Sequence, residues 1–364
     1  MAGRPGRAAR RHRGLTADAK GPIDWTTTSV DPASERQPKY RPQVGARATM
    51  TPMPSPVSTP VDNLRRRVVR QAEGLFSHAD DPLADTLLYV GDPGLFGPGS
   101  ITWELMGDVS TFIGGIRALL VQAAHPEVVA GVADHSRYRE DPLGRLSRTS
   151  NYVTATSYGA MPEVEAAVAA VRRAHVRVRG TSHRGISYTA GSPALAAWVH
   201  NSLTDSLLVA AQVFGPRRLS TEEADRFVTE QARIGRLLGA DPLPETAADL
   251  ARWIAEHPAL APSPGMVEAV RFLKHPPLSP AVMLSYRLMA RAAGATLPEQ
   301  LQEVLHVRAH RGAIPVGRAS MRSLRWVLGY SPRWRVALLR AGATIPEDRF
   351  MQKTPFETIL EPPR

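Results

Sequence analysis

From residue 59 onward the apolar residues recur at steps of three and four and almost nowhere at steps of two, and this pattern confines the chain to helices. The clearest case is STEEADRFVTEQARIGRLLG, residues 220–239. It has a hydroxyl at the cap, acids in the first turn, an arginine near the end and a terminal glycine, which are the start and stop signals of a helix. Further helices are expected at about 111–124, 162–179, 193–214, 247–256, 266–274, 279–293 and 319–328, and another after Thr59 as cap with Pro60 in its first turn. A short turn or hairpin is expected at GISYTAG, residues 185–191. The fold class is therefore all-α, a multi-helix globular domain without internal repeats.

With 364 residues and 43 % hydrophobic composition, the chain builds a sizeable core. Three regions are expected. Residues 1–57 form a disordered, basic Pro/Arg-rich tail, 58–296 a helical domain, and 297–364 a C-terminal helical extension. Met50 and Met53 stand just before the first patterned segment, as alternative translation starts.

The net charge of +11 is concentrated at the start, where residues 1–70 hold 14 Lys/Arg against 5 Asp/Glu. Only 4 lysines stand beside 41 arginines, a ratio closer to a codon bias than to a phosphate-binding surface. No specific nucleic-acid partner is expected. The chain has no cysteine, which excludes disulfides, iron–sulfur clusters, thiolate zinc, covalent haem attachment, a thiolate-ligated haem and a Cys nucleophile. No apolar run is long enough to be a transmembrane segment. The basic start lacks a following apolar stretch, so a cytoplasmic location is expected.

In VRRAHVRVRG, residues 171–180, the stripe Val164, Val168, Val171, His175, Val178 steps by four, three, four and three. His175 is therefore expected on an inward helix face, with Arg172, Arg173, Arg177 and Arg179 on the flanks. A satisfied core histidine and a cofactor ligand both answer to that position. In RLSRT, Arg145 and Thr149 are four apart on one helix side, able to anchor a carboxylate-bearing cofactor or simply to serve capping and surface charge. His200, Thr204 and Asp205 make a polar strip in WVHNSLTDS, either a core hydrogen-bond network or the wall of a substrate pocket. His125 and His135 with Glu127 or Asp134 offer a two-histidine, one-carboxylate metal site, although no second histidine falls convincingly on the same face and Pro126 suggests that His125 closes a helix. GDPGLFGPGSITWELMGD, residues 91–108, matches no phosphate loop and reads as a turn-rich entry to a helix capped by Ser100. No GxSxG or HExxH occurs.

Taken in order, GDPGLFGPGSITWELMGD, LLVQAAHPEVVAGVADHS, DPLGRLSRTSNYV, VRRAHVRVRG and WVHNSLTDS resemble the rubber oxygenase catalytic domain family. That family includes the bacterial latex clearing proteins and the fungal oxygenase of mycophenolic acid biosynthesis. The resemblance implies an all-helical, partly globin-like domain with haem b held between helices, and cleavage of carbon–carbon double bonds by molecular oxygen. It implies His175 as the iron (metal) ligand, and Arg145 and Thr149 beside the cofactor. Arg148 stands where latex clearing proteins can carry a distal lysine; a guanidinium stays protonated and does not bind iron, but can donate to oxygen or a propionate. The expected function is thus a haem-dependent oxidoreductase, an oxygenase acting with O2 on a hydrophobic small-molecule substrate by alkene cleavage or C–H oxidation. Arg145, Arg148, Thr149 and His200 are its expected catalytic residues. A haem-dependent dehydrogenase or peroxidase and a non-catalytic haem or lipid carrier are the alternatives.

Overall fold

Helix follows helix through the computed structural model, which describes residues 60–76 and 78–353. The basic tail, Met50, Met53 and the Thr59 cap lie outside the described residues. In chain order the elements are α1 Pro60–Gly74, a 3-10 turn Thr86–Leu88, α2 Ile101–Gly107, α3 Thr111–Ala123, α4 Pro126–His135, α5 Pro142–Tyr158 and α6 Met161–His175. A two-stranded hairpin follows, β1 Arg179–Thr181 and β2 Ser187–Thr189. Then come α7 Pro193–Phe214, α8 Thr221–Leu237, α9 Ala247–Ala255, α10 Pro264–Lys274 and α11 Pro280–Ala295. The last are α12 Glu299–Leu305, α13 Ala313–Leu328, α14 Pro332–Arg340 and α15 Arg349–Gln352. The fold is all-α, and among the described residues no helix is long and apolar enough to cross a membrane.

Local signals explain most boundaries. At α8 the Ser220 hydroxyl accepts the Glu223 amide at 3.2 Å, the Glu223 carboxylate accepts the Ser220 amide at 2.8 Å, and Gly239 closes the end with φ +71°. Ser100 caps α2 through the Trp103 amide.

The centre of the fold is the crossing of α3 and α7. A Cβ on Gly114 would meet the Leu207 Cα at 3.1 Å, so the backbones touch where the side chain is missing. Ile113, Val121, Trp198, Phe214 and Phe227 are sealed around this contact. Burial of each such side chain contributes about 1.5–3 kcal/mol. The helices after residue 296 extend this core: Leu297, Leu301, Leu305 and Met321 join it, while Tyr330, Leu338 and Phe350 pack with Trp103 and Tyr158. All of them fall in one unit, Val57–Arg364.

Two boundaries differ from expectation: α13 begins at Ala313, ahead of the expected residue 319, and α6 ends early. The helix expected to run to residue 179 ends at His175, and the segment beyond it pairs as β1 with β2, in the register Arg179↔Thr189, Gly180↔Tyr188, Thr181↔Ser187. The cause is visible in Val176-Arg177-Val178-Arg179, where apolar and charged residues alternate at the strand period and override the helical stripe. Val178 then rests near Gly131 of α4, where an added Cβ would lie 3.5 Å from it.

Candidate functional site

The segment from α5 to α6 is an antiparallel helical hairpin whose start and turn are fixed by local chemistry. Asp141 caps α5 by accepting the Gly144 amide at 2.9 Å, and Pro142 occupies its first turn. The Glu163 carboxylate accepts the Ala160 amide and the Thr86 hydroxyl, each at 2.8 Å, at the start of α6. The glycine-rich loop before α2 braces this turn from outside. Its Gly94 has φ +68° and lies so close to the Gly159 carbonyl that no Cβ fits, while Asp92 accepts the Gly94 and Met161 amides at 2.7 and 2.8 Å.

Along α5 the residues Arg145, Thr149, Tyr152 and Thr156 follow steps of four, three and four, and so share one face. Along α6 the same steps align Val164, Val168, Val171 and His175. Val164 and Val168 are buried against Leu95 and Ile234, with Tyr152 packed on the same cluster. Because the hairpin is antiparallel, the early turns of α5 lie beside the last turns of α6. Arg148, Val171 and Ala174 accordingly border one cleft.

The polar groups of this face have few partners among the described residues. The Arg145 guanidinium donates to the Ser136 hydroxyl and has no carboxylate partner among the described residues; burial lowers its pKa below the ordinary guanidinium value. The Tyr152 hydroxyl is buried without a hydrogen-bond partner among the described residues, and burial pushes its pKa well up. The His175 ring also makes no hydrogen bond to a described residue.

His175 is not inward as the stripe predicted. It is the last residue of α6 and is exposed, because no described element covers the final turn once the chain leaves for β1. The surrounding protein still desolvates its ring enough to lower its pKa, which favours the neutral imidazole. Thr149 is exposed on the same side as Arg145. Arg148 sits on a neighbouring face, exposed and 3.2 Å from Asp141, where it borders a cleft of about 600 Å³ beneath residues 79–89.

His200 is not brought to this group. It is buried on α7 against α8, where a Cβ on Gly235 would lie 2.9 Å from its ring, and desolvation holds its pKa at about 4. Thr204 donates to the His200 carbonyl at 3.0 Å, and Asp205 accepts from Arg117 at 2.6 Å, so the polar strip of α7 is a core network. The residues considered for a two-histidine metal site are likewise separated. His125 precedes α4 rather than closing a helix, beside Glu127, whose carboxylate is held by Arg184 and Ser182. His135 ends α4 and meets the Arg179 carbonyl. Among the described residues no group of three metal-binding side chains assembles.

Tyr152 is the residue that spacing could have exposed. It follows Thr149 by three on the line of Arg145, inside a segment already singled out for its polar residues.

Comparison with known proteins adds the family. Residues 103–328, well over half the chain, match the family described as ER-bound oxygenase mpaB/B'/Rubber oxygenase, catalytic domain. The matched span runs from α2 to the end of α13 and contains the whole α5–α6 hairpin. Neither the curated proteins nor the solved structures compared with the chain match it.

Proposed function

The chain belongs to the mpaB/rubber oxygenase catalytic domain family, a family of oxygenases, and from that premise we propose that it is a haem b-dependent oxygenase acting with O2 on a hydrophobic small molecule. The observation that carries the reading is the donor set of the α5–α6 hairpin. Among the described residues, an imidazole without a hydrogen-bond partner ends one helix, and a guanidinium without a carboxylate stands on the facing one.

These residues fit a haem. His175 supplies the neutral ring nitrogen that a ferrous or ferric iron takes, and Arg145 supplies a fork for a propionate. Thr149 and the unsatisfied Tyr152 hydroxyl offer donors on the same side, for a propionate or for polar atoms of the substrate. Val171, one turn before His175 on the same face, gives an apolar surface beside the site. When bound, the haem supplies an iron that activates O2, chemistry that no side chain of the site can perform. The protein contributes binding, orientation and the exclusion of water.

Arg148, held by Asp141, is assigned to the rim of the adjoining cleft. Small apolar molecules suit that cleft, whose α6 wall is formed by Ala166, Ala167, Ala170 and Ala174.

The test is spectroscopic and then isotopic. Titration with haemin should give a saturable Soret band that is lost in His175→Ala, and turnover under 18O2 should place label in the product. Protein that takes up no haemin, or a band indifferent to the substitution, overturns the assignment. Oxidised product without label leaves the haem and overturns the oxygenase.

A further inference from the structure

Arg218 in the α7–α8 connection, Arg318 and Arg322 on α13, and Arg349 at the start of α15 converge on one cleft of about 410 Å³. None of these four has a carboxylate partner among the described residues. Arg318 donates to the Val213 carbonyl at 3.0 Å, Arg349 lies over the Phe350 ring at 4.5 Å, and the Arg218 and Arg322 guanidinium groups make no hydrogen bond to a described residue.

The acids nearby are already engaged. Arg217 takes Glu104 and Glu223 at 2.7 Å each, Arg325 takes Asp108, and the Asp348 carboxylate accepts the Phe350 amide at 2.7 Å. The cleft thus keeps an excess of positive charge. Arg318 and Arg322 are four apart on one helix, a like-charge spacing that destabilises a helix unless an anion relieves it.

We propose that this cleft binds a ligand carrying a phosphate or diphosphate group. Guanidinium forks match phosphate oxygens two at a time, and several forks around one cavity suit a multiply charged oxyanion. The volume exceeds what one phosphate needs and falls within the range of about 300–1,000 Å³ typical of small-molecule sites. Val213, Pro216 and Phe350 line the remaining wall, so the phosphate belongs to an organic ligand with an apolar portion.

The cleft is separate from the α5–α6 site. Arg172 of α6 donates to the Leu237 carbonyl at the C-terminal end of α8, whereas the cleft lies just before the N-terminus of that helix. Seventeen residues of helix separate the two, about 25 Å.

Calorimetric titration of the full chain with inorganic diphosphate, at fixed ionic strength, tests the proposal. Saturable binding is expected, at least tenfold weaker in R218Q/R322Q and in R318Q/R349Q, and unchanged in the charge-matched R308Q/R311Q. Thermal melting of ligand-free R218Q/R322Q should be unchanged or raised, because like charges are removed without loss of a hydrogen bond to a described residue, whereas R318Q/R349Q also loses the Val213 and Phe350 contacts and should melt slightly lower; weakened binding in R218Q/R322Q is therefore the arm that separates lost binding from lost folding. A parallel arm uses phosphatidylcholine vesicles with and without phosphatidic acid. Vesicle binding that needs phosphatidic acid and the same arginines, without binding of free diphosphate, assigns the phosphate to a lipid headgroup. No saturable binding in either arm, or equal weakening in R308Q/R311Q, overturns the proposal.

Discussion

Arg117 of α3 and Asp205 of α7 meet at 2.6 Å with their side chains 2 % and 6 % exposed, and Ser206 accepts from the same guanidinium nitrogen at 2.8 Å. Asp205→Leu should lower stability by about 3–5 kcal/mol, because it leaves a buried cation alone. The double replacement R117M/D205L should recover most of that loss. Urea unfolding midpoints decide it: a double variant as unstable as the single one would show that the pair does more than satisfy itself.

Acid should weaken the fold through two other buried residues. His125 and His200 both hold their pKa at about 4 against an ordinary 6.5, with desolvation the largest cause in each. The unfolded chain takes up protons on these rings as pH falls through the ordinary value, while the folded chain resists until about 4. Their contribution is therefore fully present above about pH 6.5 and is lost progressively down to about 4, by at most about 1.4 kcal/mol per ring per pH unit. Denaturation midpoints between pH 4 and 7.5 should slope downward on the acid side, and His200→Gln should reduce the slope. A flat profile contradicts the buried neutral rings.

At Arg145 the expected effects have opposite signs. Replacing it with glutamine removes a desolvated cation that meets only a hydroxyl, so the cofactor-free protein should melt at the same temperature or higher. On the proposed function, affinity for haemin should fall by about 10–100-fold, the scale on which groups that orient a bound metal act. Arg145→Lys should recover only part of it, since a point charge replaces a fork. Unaltered affinity in the glutamine variant removes Arg145 from the site.

Gly235 is a packing prediction. A Cβ there would stand 2.6 Å from Leu243 and 2.9 Å from the His200 ring, so Gly235→Ala should cost about 1–3 kcal/mol despite better helix propensity. Paired with His200→Ala, which empties the same space, the loss should be less than the sum of the two. Additive losses in thermal melts would mean that the two positions do not share that space.

Much of the helical frame was legible because its signals are local. The Ser220 cap with Glu223, the terminal Gly239 and the apolar faces of α3 and α7 all lie within a turn or two of the boundary they set. The end of α6 was misread because Val176 and Val178 satisfy a helical stripe and a strand alternation at once, and only the pairing with β2 decides between them. Arg145, Thr149 and His175 were legible as candidates; the structure sets them on the neighbouring helices α5 and α6, with His175 exposed instead of inward. The separation of His200 from them was not legible, because it depends on which neighbour α7 turns each face toward. The arginines of α13 were read as a bias of composition. Their convergence requires partners from residue 218 and residue 349, more than a hundred positions apart.

The uncovered last turn of α6 has a kinetic meaning. A ring that already meets solvent at a helix end needs no opening of the interior to be reached, so on the proposed assignment uptake of added haemin should be fast and should not track the rate of global unfolding. The same openness makes release equally direct, and a preparation dialysed for long should bleach while staying folded.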